Sequence, residues 1–123
     1  MNNCEVMIQK DELIRLFELI QARPGMFCSR GTEFWVTVGR VYGMIEAGVE
    51  QLRGFQSWVS QELSGWPSSP IVWEVIIAHS VTGEYNRLPS TDEERLAAFH
   101  LTLSLLISYC RSLPEKPGPE SVA

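Results

Sequence analysis

The last third of the chain constrains the fold more than any other stretch. Leu96, Phe99, Leu103, Leu106, Cys110 and Leu113 recur at alternating intervals of three and four residues. Leu101, Leu105 and Tyr109 form a second apolar stripe beside them. Intervals of three and four place residues on one side of an α-helix. A helix apolar on two sides has to be covered on two sides, so a long central helix with other helices packed around it is predicted. With 123 residues the chain has room for one core. A chain of this size buries roughly two-thirds of its unfolded surface, enough to fold without disulfide or metal staples.

The rest of the sequence supplies the covering helices. Asp11 is placed to cap a helix carrying Leu13, Ile14, Phe17 and Ile20 on one face. Pro24 and Gly25 are expected to end it, with Gly25 taking a left-handed turn. Met26 and Phe27 should then return the chain to the core, and Arg23 should meet the carbonyls of the last helix. Thr32 is positioned to cap a second helix with Phe34, Val38, Val41, Ile45 and Leu52 at helical spacing, and Trp35, Tyr42 and Val49 as a second stripe. Gly39, Gly43 and Ala47 share a face of that helix. Each interior glycine costs about 1 kcal/mol relative to alanine, so close approach of a neighbouring helix is expected there.

Phe55, Trp58, Val59 and Leu63 mark a short third helix. The SGWPSSP loop follows, and Trp66 in it is the tryptophan best placed to reach the surface, either as a partner-contact anchor or, more commonly for such a residue, as a lid over the core. In residues 71–79 the β-branched residues favour a strand, whereas Val72, Val75, Ile76 and His79 share a helical face. A helix started by Ser69 and Pro70 is the expectation, because no second clear strand could pair with it. Ser90 and Glu93 read as a capping box for the last helix. The overall expectation is an all-α, compact single-domain bundle of about five helices over residues 1–113, with a flexible Pro-rich tail at 114–123.

Charge and residue usage restrict function. The net charge is −5, and the ten Lys and Arg residues are dispersed, with only two lysines. Nucleic acid and anionic membrane are therefore not expected partners; a basic protein surface is compatible. No apolar run approaches the roughly 20 residues needed to span a bilayer. The start, MNNCEVMIQKDE, lacks the pattern of a secretory leader. Cys4, Cys28 and Cys110 are odd in number and far apart, which fits a reducing, cytoplasmic setting. Two histidines and scattered cysteines offer no convergent metal set, and no cofactor is expected. Cys28, His79 and Ser80 lie in no recognisable nucleophile motif, so an enzyme is not expected.

Arg23-Pro24-Gly25-Met26-Phe27 resembles the R-P-G-M-Y-I-G segment of the GHKL ATPases over those five residues. Cys28-Ser29 replaces the following Ile-Gly, and the helical Glu, the paired Asn, the D-x-G-x-G and the glycine-rich lid are all missing. A longer resemblance runs from about residue 11 to 113. It comprises the R-P-G-M-F corner, the aromatic helix Phe34 to Gly48, Phe55-Gln56-Ser57-Trp58-Val59, Trp73 to Ile77, and Thr91-Asp92-Glu93-Glu94 leading into Phe99. In that order the pieces resemble small bacterial all-α proteins that include immunity proteins of polymorphic toxin systems. The resemblance implies binding and neutralisation of a cognate toxin in the cytoplasm, by covering its active site or substrate surface. Arg23, Pro24, Gly25, Met26 and Phe27 would then be scaffold. The partner-facing candidates are Glu84, Tyr85 and Arg87 in the polar loop, with Asp92 and Glu93 opposite a basic toxin surface. The alternative is a non-enzymatic helical adaptor or regulatory protein, dimeric through an apolar patch.

Overall fold

Residues 8–84 and 86–114 are described by a computed structural model. The candidate Tyr85 and almost all of the Pro-rich tail lie outside them. Five α-helices follow in order: α1 (Lys10–Ala22), α2 (Glu33–Glu46), α3 (Phe55–Ser64), α4 (Trp73–Thr82) and α5 (Asp92–Ser112). Short 3-10 turns occupy Pro24–Met26 and Glu50–Gly54, and no strand occurs among the described residues. The all-α architecture is as expected. At 21 residues α5 is the longest helix, spanning about 31 Å at 1.5 Å per residue. It packs against α1, α2, α3 and α4, as its double apolar face requires. Phe99, Leu103, Leu106 and Cys110 are fully buried along it, against Leu13, Phe17 and Ile20 of α1 and Phe34 and Val41 of α2.

Residues 71–79 resolve in favour of helix. Val72 is still extended and α4 begins at Trp73, burying Trp73, Ile76, Ile77 and Ala78 and leaving Val72 exposed. The cap comes from elsewhere than Ser69 and Pro70. The Gln56 side-chain amide of α3 donates to the Ile71 carbonyl (2.8 Å) and accepts from the Trp73 N–H (2.7 Å). Ser69 instead accepts locally from the Ile71 N–H. Tertiary contact, more than local sequence, therefore starts this helix.

Several local expectations are corrected in the same way. Gln9, not Asp11, is the N-cap of α1, and its N–H donates to Glu12 (3.2 Å). Gly25 lies in a 3-10 turn with φ outside the left-handed region, and a Cβ built there would touch nothing within 4 Å. Met26 is 66% exposed; only Phe27 packs back onto the core. The cation on the α5 carbonyls is Lys10, which donates to Leu113 (2.8 Å) and Arg111 (3.5 Å), where Arg23 was expected. Arg40 of α2 holds the corner, donating to the Phe27 carbonyl with its guanidinium 5.7 Å from the Phe27 ring centroid.

On α2, Gly39, Gly43 and Ala47 face solvent, and no neighbour lies within 4 Å of a Cβ built on either glycine. The expected close helix approach is absent there. Trp35, expected on the second apolar stripe, shares that outer face at 41% exposure, and Trp66 reaches the surface at 71% exposure, as one of its two readings required, and does not cover the core. The close approach occurs at Gly54 instead, where a Cβ would lie 2.7 Å from the Tyr109 hydroxyl. That hydroxyl donates to the Gln51 carbonyl.

Candidate acidic cleft at the start of the last helix

The loop from α4 to α5 is folded by its own polar groups. Gly83 closes α4 at φ +82°, its N–H donating to His79 (2.7 Å). The Thr82 hydroxyl lies 3.2 Å from the Glu84 N–H and 3.2 Å from the Arg87 carbonyl. Thr91, one residue past the expected Ser90, is the N-cap of α5, and its hydroxyl accepts from the Glu94 N–H (3.0 Å). The Glu94 carboxylate in turn accepts from the Ser90 N–H (3.0 Å). The capping residues are therefore Thr91 and Glu94, shifted by one from Ser90 and Glu93.

The four partner-facing candidates among the described residues divide into two groups. Arg87 is used inside the protein: it pairs with Glu94 and lies 3.1 Å from Glu84. The Ser90 N–H and the Arg87 guanidinium together hold the Glu94 carboxyl below its ordinary range. Glu84 and Arg87 thus strap the loop to α5. Asp92 and Glu93 instead line a cleft of about 360 Å³ with Arg30, Gly31, Glu33 and Leu96. Asp92 pairs with Arg95 at 2.9 Å while its side chain stays 74% exposed. Glu33 accepts from the Gly31 N–H (3.0 Å), which sets its carboxylate at the mouth of the loop.

Four lining residues, Arg30, Gly31, Glu33 and Leu96, were missed by the sequence reading. Arg30 and Glu33 are far from Asp92 in sequence and reach it only because α2 packs on α5. Leu96 begins the periodic stripe and was assigned to the core, yet it is 41% exposed. Its position in the first helical turns, before the buried segment begins, was the available signal. The result is an open cleft with an apolar floor at Leu96, three carboxylates and one guanidinium. Such a surface suits a cationic protein surface with an apolar contact at its centre.

Burial pushes both described thiols up, Cys28 above its ordinary value and Cys110 to about 11. Neither is a ready thiolate near neutral pH. Among the described residues no group of three His, Cys, Asp or Glu side chains is placed to share a metal ion, and no helix is long and apolar enough to cross a membrane. No protein-family model, curated protein or solved structure matches the chain.

Proposed function

We propose that this chain is a non-catalytic cytoplasmic immunity protein that binds a cognate toxin and covers its active site or substrate surface. The observation that carries the reading is the cleft lined by Asp92, Glu93 and Glu33 together with exposed Leu96 and a single cation, Arg30. A toxin acting on a polyanion presents a basic site, and an acidic cleft with an apolar centre is its electrostatic complement. The sequence resemblance to immunity proteins supports the same reading.

The test is to find whether a gene adjacent to the one for this chain encodes a toxin domain, and to co-express its product with the chain. Protection of the host and a stable complex on gel filtration are expected. The double reversal Asp92→Lys/Glu93→Lys should weaken the complex at least about tenfold, or ~1.4 kcal/mol. Loss of the exposed Asp92–Arg95 pair should change stability by no more than about 1 kcal/mol. Continued killing with no complex from the unaltered chain would overturn the proposal. A helical adaptor is the second reading, favoured by Trp35 beside Gly39 and Gly43 on the uncovered face of α2. Tight self-association with indifference to the toxin would select it.

A further inference from the structure

A second cleft, of about 370 Å³, opens where α2, the Glu50–Gly54 turn, α3 and α4 meet. Its aromatic wall is the stacked pair Tyr42 and Trp73, with ring centroids 5.7 Å apart and planes inclined by 23°. Trp73 is buried and fixed through its N–H by Gln56, whereas Tyr42 is 39% exposed. Two hydrogen bonds brace this wall before any partner arrives: the Trp73 backbone N–H donates to the Gln56 side-chain carbonyl, and the Tyr42 hydroxyl donates to Glu74 at 2.7 Å.

The charges around the wall are unbalanced. Arg53 is occupied by Glu50 at 2.6 Å. Glu46, one turn beyond Tyr42, and Glu74 have no ion-pair partner among the described residues. The Tyr42 phenol is raised above its ordinary value by burial and by its bond to Glu74 and that group's charge, consistent with a negative potential at the wall. A divalent metal would need several donors converging on one point, and no such group of three occurs among the described residues. An organic cation needs only an aromatic face with carboxylates at its edge. A guanidinium fits best, because its plane can lie on the ring while its N–H fork meets a carboxylate.

We infer that the Tyr42–Trp73 cleft is an anchor site for an arginine side chain of a basic protein partner, held between the Tyr42 ring and the Glu46 carboxylate that lines the cleft, with Glu74, bonded to the Tyr42 hydroxyl, adding negative charge at the ring's edge. The inference rests on the toxin-binding reading, which supplies such a partner. Glu33 lines one cleft and Glu46 the other, and they lie about 20 Å apart along α2 at 1.5 Å per residue. A partner spanning both would therefore present cationic groups at about that separation.

The probe is the blocked tripeptide acetyl-Gly-Arg-Gly-amide, with the norleucine tripeptide as control. Binding is followed by NMR through the Trp73 indole N–H and the Tyr42 ring. Saturable shifts with the arginine peptide are expected, with a Kd on the order of millimolar for a single side chain. The double variant Glu46→Gln/Glu74→Gln, which keeps the shape of the cleft, should weaken binding by about fivefold or more. No saturable shift, equal shifts with the norleucine peptide, or unaltered binding by the double variant would each overturn the inference. Failure of toxin neutralisation with the peptide response intact would count against the immunity reading alone. Neutralisation without any peptide response would count against the anchor alone.

Discussion

The two ends of α5 obey different physics. From Phe99 to Cys110 the core-facing side of the helix is sealed: Phe99, Leu103, Leu106 and Cys110 have no exposure, and the Tyr109 ring is edge-on to Phe55 at 5.5 Å and Trp58 at 5.8 Å. From Asp92 to Leu96 the same helix is open, held by a hydroxyl cap and ion pairs to a loop. The sealed half is fixed by apolar burial and shape, which leave few alternatives for the residues there. The open half is fixed by charge and hydrogen bonds, and its outer carboxylates stay at the surface, Asp92 exposed even while paired with Arg95. One continuous helix thus joins a buried half to an open, charged half.

The largest test of this contrast is a pair of leucines on that helix. Leu103→Ala should cost about 2–5 kcal/mol, because a cavity is left among residues that are already close-packed. Leu96→Ala should change stability by no more than about 0.5 kcal/mol. Urea denaturation of both variants measures the difference, and equal losses would mean that the open end is not open. Next in size is Gly54→Ala, whose Cβ would meet the Tyr109 hydroxyl. The ring cannot swing aside, since Tyr109 is 5% exposed between its aromatic neighbours. A cost of about 1–3 kcal/mol is expected. In a Tyr109→Phe background the same substitution should cost much less, because the clashing oxygen is gone. A double-mutant cycle reads that coupling, and an unchanged penalty would break the assignment.

The smallest effect lies at the open end and depends on pH. Glu94 is held below the ordinary carboxylate value of 4.5 by the Ser90 N–H and Arg87. A carboxyl lowered on folding stabilises the protein fully above its unfolded value, and that contribution disappears as pH falls through the folded value. Glu94→Gln should therefore lower the urea midpoint at neutral pH and converge with the unaltered chain in acid. A gap that persists in acid would show that lost packing, and not lost charge, is responsible.

The parts legible in sequence were those set by periodicity. The α5 stripe from Phe99 onward, the Leu13–Ile20 face of α1 and the existence of five helices all follow from spacing, and burial agrees. What was not legible depended on atoms distant in the chain. Gln56 starts α4 from fifteen and seventeen residues away, and Lys10 reaches the end of α5 across the whole domain. Gly39 and Gly43 misled because a glycine stripe marks close approach only if a helix is there to approach. The cleft was half legible: Asp92 and Glu93 announce themselves as first-turn carboxylates, but Arg30 and Glu33 join them only through tertiary packing.

The Gln56 amide has a consequence for how this fold can change. By holding Ile71 and Trp73 directly, it fixes where α4 begins irrespective of the path the chain takes from Gly65 to Pro70. That loop is largely solvent-facing and carries Trp66 outward. Lengthening a surface loop costs little chain entropy, about 0.6 kcal/mol per doubling. The segment between α3 and α4 is therefore the place where this domain can accept inserted residues while α4 keeps its register.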